Sequence, residues 1–276
     1  MEKTKCALLD TDFISKLHIT RKDDENRLIE RVLELQDYQF ACHEQITIEL
    51  GRHNASAKDW LKGRIEEGSI QKFSDRKLIE ELRQFYGKNA ISMYLHYLNN
   101  ACNLFDSNFY GEYYASLEQI SEVSDDVFAS EIANCDLAVG CDNNLGEIKT
   151  YLLQQVMQNR EDIRLYAFYS DDRKARAGLT YGGGVPSVSA LAAFYVLKER
   201  LGIEKAEAKE YFDSWMQYHQ KTNQTSFKVH KATKEQQLMK MDGYEIFDKI
   251  YDGTMRVARD GDIQDNTQVN GWIICT

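Results

Sequence analysis

Apolar and polar positions change period along this chain, and the first change comes early. Residues 5–10 form a short apolar run, Cys6-Ala7-Leu8-Leu9, that ends in Asp10, with Asp12 two residues on. Such a run predicts a buried strand, and an apolar helical pattern over 11–17 follows at once. A helix is predicted over 24–36, where Leu28, Ile29, Val32, Leu33 and Leu35 recur among charges at helical spacing. Residues 38–42 read as a second short strand. Residues 43–50 resume helical character, with Ile46, Ile48 and Leu50 near Glu49. This β-α-β-α alternation predicts an α/β fold with a doubly wound, mostly parallel sheet flanked by helices.

From about 54 to 133 the alternation is expected to stop, giving helices over 57–67 and 75–99 and an aromatic piece around 105–117. Phe109-Tyr110-Gly111-Glu112-Tyr113-Tyr114 has two readings. It is a surface on which bases stack, or it packs a helical insertion onto the core, and ordinary burial of large aromatics favours the second. Alternation returns with a helix over 144–158 and an apolar strand over 163–169 that ends in Ser170-Asp171-Asp172. Leu179-Thr180-Tyr181 reads as a short final strand and 182–186 as a loop. Ser187 or Ser189 would cap a helix over 188–201, and a further helix is predicted over 205–219. Beyond Lys221 the chain is polar and less periodic, and 259–276 reads as loosely ordered. The expected organisation is one α/β domain over 1–219, with a helical insertion at about 54–135, and a C-terminal extension over 220–276.

Composition narrows the class. At 276 residues, 43% hydrophobic and 28% charged, the chain has the make-up of an ordinary globular protein. No run approaches the roughly 18 apolar residues that span a bilayer, and the N-terminus, 1–5, leads into a strand-like segment too short for the apolar region of a signal peptide. No membrane association is expected, and cytoplasm is the default compartment. The six cysteines are scattered without a Cys-x-x-Cys pair, so they read as reduced, mostly buried small hydrophobes. A net charge of −10 argues against a broadly basic nucleic-acid binder. It leaves room for a nuclease, because an acidic metal site adds negative charge of its own.

The candidate chemistry lies in four acids. Asp10 and Asp171 end apolar strands, Glu49 follows the second strand, and Glu147 opens a helix. In an open α/β sheet, ligands bind outside the carboxyl ends of the strands at the switch point. Several carboxylates on one rim repel one another, and a hard divalent cation, Mg²⁺ or Mn²⁺, resolves the repulsion. Such an ion generates a hydroxide nucleophile and stabilises the oxygens of a phosphodiester under attack.

These residues resemble a known family. Leu9-Asp10-Thr11-Asp12-Phe13-Ile14 is similar to the opening Asp-Thr motif of PIN-domain nucleases, and Ile46-Thr47-Ile48-Glu49-Leu50 to their second acidic motif. Leu145-Gly146-Glu147-Ile148-Lys149-Thr150 and Tyr169-Ser170-Asp171-Asp172-Arg173-Lys174-Ala175-Arg176 resemble the later motifs of one branch. Gly184-Val185-Pro186-Ser187 and the helix to Leu201 resemble the segment that closes the domain. The resemblance covers roughly 4–52 and 140–215. It implies a Mg²⁺- or Mn²⁺-dependent endonuclease acting on RNA rather than DNA, a toxin or antiphage defence effector like the VapC-like toxins of toxin–antitoxin pairs. An antitoxin or regulatory protein and a homodimer are the implied partners. Asp10, Glu49, Glu147 and Asp171 would be catalytic metal ligands, with Asp12 and Asp172 as auxiliary ligands. Asp136 and Asp142 stand as alternatives to Glu147, and the insertion and tail have no counterpart in minimal toxins.

Arg173, Lys174 and Arg176, beside the proposed site, are the substrate-binding candidates. Lys221, Lys228, Lys231, Lys234 and Lys240, opposed in their segment by Glu235 alone, read equally as a phosphate-backbone contact or a solvated face. His43-Glu44-Gln45-Ile46-Thr47 lacks the second histidine of a zinc motif, and Gly182-Gly183-Gly184 lacks the lysine of a phosphate loop. Two rivals share the same residues. One is an aspartate-based phosphatase using Asp10-Thr11-Asp12; the other is a non-catalytic PIN-like scaffold that binds RNA or protein.

Overall fold

The computed structural model describes residues 3–23, 25–120, 123–140, 144–231 and 237–265. β1 (Thr4–Leu9) is fully buried from Cys6 to Leu9 and stops at Asp10, where α1 (Thr11–Ile19) begins. Burial on both faces is what an interior strand of a parallel sheet requires, hence the unbroken apolar run. α2 (Leu28–Leu33) is much shorter than the helix expected over 24–36. The Asp23 carboxylate accepts the backbone N–H groups of Glu25 and Asn26, and Arg21 bridges Arg27. That side-chain turn competes with helix until Leu28.

β2 (Tyr38–His43), α3 (Glu44–His53), α4 (Ala55–Glu66) and β3 (Ile70–Phe73) follow. β3 pairs in parallel with β2, Phe40 opposite Ile70 and His43 opposite Phe73. The alternation therefore continues past residue 54, contrary to expectation. In β3 the buried positions are Ile70 and Phe73 with Gln71 and Lys72 between, so this four-residue strand carries no period of two. α5 (Asp75–Tyr86) and α6 (Ala90–Phe105) replace the single helix expected over 75–99, because Gly87 turns the chain with a φ of 53°. α7 (Phe109–Tyr113) and α8 (Asp125–Val139) complete the helical stretch. Phe109, Tyr110 and Tyr114 are buried there, which makes this cluster core rather than a stacking surface.

α9 (Leu145–Met157) and β4 (Ile163–Tyr169) lie where the pattern put them. α10 (Arg173–Ala177) runs into a π-helical turn over Gly178–Gly182, in place of the strand expected at Leu179-Thr180-Tyr181. Asp172 caps α10 by accepting from Ala175 N at 2.7 Å, so the chain enters helix directly. The last strand of the sheet is β5 (Ser187–Val188), parallel to β4. Ser189, not Ser187, caps α11 (Ala190–Leu201), which ends at left-handed Gly202. α12 (Lys205–Gln220), β6 (Ser226–His230), β7 (Leu238–Asp242), α13 (Gly243–Tyr251), β8 (Met255–Val257) and β9 (Ile263–Asp265) finish the described chain. The strands form two sheets, ordered β3-β2-β1-β4-β5 and β7-β6-β9-β8.

Through Asp265 the tail is thus structured, against expectation. Arg259 O accepts from Ser187 N, and Gly261 O from Ser189 N. Gly261, at φ 82°, lies so close to Ser187 that a Cβ would meet its carbonyl carbon at 2.8 Å. The chain divides into two compact units, Met1–Thr11 with Gln39–Tyr166, and Asp12–Tyr38 with Ala167–Thr276. Neither division falls at 219/220. The second unit centres on the aromatic cluster of Phe194, Phe212, Trp215 and Phe247.

Among the described residues no helix is long and apolar enough to cross a membrane. Cys6, Cys42 and Cys102 are free, and burial pushes their thiols up to about 12. Thiols held protonated in this way pack as inert hydrophobes.

Candidate functional site

In the first unit, three of the predicted acids come from segments that meet at Glu49. Asp10 leaves the end of β1 and is 6% exposed. Thr11, the next residue, donates from Oγ1 to Glu49 Oε2 at 2.6 Å. Gln45, one helical turn before Glu49 on α3, donates from Nε2 to Oε1 at 3.3 Å. The other wall is Gly146, in the first turn of α9, where an added Cβ would stand 2.5 and 2.6 Å from the Glu49 oxygens. Only glycine permits that approach, so the turn carrying Glu147 lies directly against the Glu49 carboxylate. The positive end of the α9 dipole favours an anion here.

Glu49 is held by a hydroxyl and an amide, and among the described residues it has no cationic partner. A carboxylate oriented by neutral donors is left without a counter-ion. Asp10, Glu49 and Glu147 offer hard oxygen donors, the chemistry that suits Mg²⁺ or Mn²⁺, but among the described residues their oxygens are not gathered within 4.8 Å of one another.

Asp136, the alternative third acid, has a different task. It accepts from Lys149 Nζ at 2.9 Å and from Tyr114 O–H at 2.5 Å. Lys149 is fully buried and also donates to Asp75 at 2.9 Å, which is bonded by Tyr94 and faced by His43 Nε2 at 3.3 Å. Burial alone would push the Asp75 carboxyl up, but Lys149 and then His43 overcome this and hold it well below the usual range. Asp136 is therefore a structural counter-ion to Lys149. Asp142 lies outside the described residues. Lys149 was missed as an organising residue, although its place between Ile148 and Leu152, on a helix whose one other charge is Glu147, marks a buried lysine in need of partners.

No family model matches the chain, and no curated protein or solved structure does either. Geometry alone ranks the remaining candidates.

In the second unit, Asp171 follows β4 and accepts from Lys16 Nζ at 2.5 Å and from Ala190 N at 3.0 Å. It has an in-built cation, which Glu49 lacks. Asp172 serves as the α10 cap, and Asp12 is exposed on α1. Among the substrate-binding candidates, Lys174 is exposed and Arg173 is half-buried. Arg176 is 3% exposed and donates to Asp262, to Asp260 O and to Ser170 O. Such a guanidinium is a structural tie, so Arg176 is withdrawn as a substrate contact.

Asp260, Asp262 and His230 were not anticipated, because 259–276 read as loosely ordered and the stretch that holds His230 as polar and less periodic. Their donor atoms lie within 4.8 Å of one another. Asp262, however, takes Arg173 on one oxygen and Arg176 on the other, both at 2.5 Å. His230 bonds Asp260 at 3.1 Å, and that bond raises the imidazole pKa. With its charges matched internally, the group is an ion-pair core.

Proposed function

We propose that this protein is a PIN-like, Mg²⁺- or Mn²⁺-dependent endonuclease that hydrolyses phosphodiester bonds, with RNA as the favoured substrate. The observation that carries the proposal is Glu49, a carboxylate aimed by Thr11 and Gln45, uncompensated by any described cation, and seated against the helix turn that bears Glu147. Asp10, Glu49 and Glu147 would hold the ion, which when bound supplies an activated water and stabilises developing negative charge on phosphate oxygens. Thr11 fixes the Glu49 carboxylate, and Gly146 lets α9 approach it. Asp171 belongs to the proposed set through its motif. Its pairing with Lys16 means that a role as ligand requires Lys16 to move away. Action as a toxin or defence effector, under an antitoxin or regulator and in a homodimer, follows from the motif resemblance and is part of the proposal.

Total RNA and single- and double-stranded DNA, incubated with Mn²⁺ or with EDTA, test this directly. RNA should be cut in Mn²⁺ and spared in EDTA. Asp10→Asn and Glu49→Gln should abolish cleavage with circular dichroism unchanged, and should weaken Mn²⁺ binding in calorimetry. A folded Asp10→Asn protein that cuts like the parent overturns the assignment.

A further inference from the structure

The second unit contains a cavity of about 570 Å³, well within the roughly 300–1,000 Å³ of small-molecule sites. Lys228 and Lys240 stand on its edge, directly opposite each other in the antiparallel β6–β7 register. Both are exposed, and neither has an ion-pair or hydrogen-bond partner among the described residues. Like charges facing each other across a strand pair cost stability. Three more lining cations, Lys16, Arg173 and Arg176, are held within the cavity by two carboxylates, Lys16 by Asp171 and both arginines by Asp262. The lining therefore has five cations against two carboxylates, and Lys228 and Lys240 are the two that touch neither carboxylate.

The cavity is also lined by Leu191, Trp215 and Phe227, which give it an apolar side. In the same lining, the Trp215 indole nitrogen and His219 Nε2 are buried without a protein partner. His219 Nδ1 pairs with Gln224 Oε1 at 3.1 Å, so Nδ1 carries the proton and Nε2 presents a lone pair. Native interiors leave few such nitrogens unsatisfied, and each one calls for an explanation.

We infer that this cavity binds a phosphate ester of nucleotide size, its phosphoryl oxygens between Lys228 and Lys240 and its organic part against Leu191 and Phe227. Phosphate supplies the charge that the facing lysines lack, and charge-assisted bonds to it are stronger than neutral ones. Asp10, Glu49 and Glu147 take no part.

Calorimetry on the full chain in EDTA, with AMP, ATP and a five-nucleotide single-stranded RNA as separate probes, tests the site. Saturable binding of AMP or ATP supports a free nucleotide as the source of the phosphate. Binding of the RNA alone supports a strand end. Lys228→Gln with Lys240→Gln should weaken that binding at least about tenfold, the scale of one charged hydrogen bond. Both positions are exposed and the change removes a repulsion, so the variant keeps its fold. Glu49→Gln should bind like the parent. If no probe saturates, or the double variant binds as tightly as the parent, the inference fails.

Discussion

Two sets of carboxylates in the first unit meet opposite solutions to the same physical problem. Asp75 and Asp136 are bound by one buried ammonium, Lys149, with Tyr94 and Tyr114 adding neutral donors. Glu49 receives neutral donors alone, from Thr11 and Gln45. The first arrangement is closed, since every charge has a partner inside the fold. The second is open to a cation from outside. The second unit repeats the closed solution with Asp262 between Arg173 and Arg176. Charge accounting, rather than the mere presence of acids, separates residues that hold the fold from residues available for chemistry.

The sharpest way to break this contrast is to remove a partner from a closed set. Lys149→Met leaves Asp75 and Asp136 buried without their ammonium, and one-sided removal from a buried pair costs about 3–5 kcal/mol. Urea denaturation should show a loss on that scale. A loss under about 1 kcal/mol would mean that water or rearrangement already satisfies the two acids, and the closed set would not be structural.

Two histidines of the second unit extend the comparison to bases. His230 bonds Asp260, which raises its pKa, so its stabilisation is complete below the unfolded value of 6.5 and fades as pH rises through the folded value. His18 is the reverse. Burial first, then Arg27 and Arg21, lower its pKa to about 4. Between about 6.5 and 4 the unfolded chain holds the proton that folded His18 refuses, so stability falls as pH falls through that window. The slope is at most about 1.4 kcal/mol per pH unit. Urea midpoints for the parent and His18→Gln, measured from pH 7 to 4, should converge or cross as pH falls. Parallel curves would show that neither burial nor the neighbouring arginines lower the His18 pKa on folding.

The legible parts of the fold are those whose burial is continuous or regularly periodic. β1 and β4 carry apolar runs and α9 a helical apolar period, and their limits were readable to within a residue or so. β3 escaped because only its two ends are buried, and α2 was overestimated because Asp23 folds its own turn. In β6, Phe227 and Val229 alternate with Ser226, Lys228 and His230. That period of two was present but obscured by the polar sequence around it. At the candidate site, the placement of Asp10 at a strand end, of Glu49 on the helix after the second strand and of Glu147 in the first turn of a helix was readable from pattern. The ion pairs that assign Asp136 and Arg176 to the fold were not, because they join residues 13 and 86 positions apart, Lys149 to Asp136 and Arg176 to Asp262. Long-range charge matching leaves no local periodicity to detect.

The smallest expected effect is the most discriminating. Glu49→Gln keeps the side-chain length and leaves one carbonyl oxygen to accept from Thr11. The Gln45 amide can rotate to present its own oxygen to the new N–H₂ group. No counter-ion is left behind, since none of the described residues supplies one. The stability change should therefore stay within about 1 kcal/mol, the range of a single neutral hydrogen bond. Urea denaturation in EDTA isolates this quantity from any effect of bound ions. Added Mn²⁺ should then raise the parent's midpoint and leave the variant's nearly unchanged, because only a folded state with an intact site gains from the ion. A loss in EDTA as large as that of Lys149→Met would place Glu49 among the closed, structural charges. The distinction drawn between the two sets of acids would then collapse.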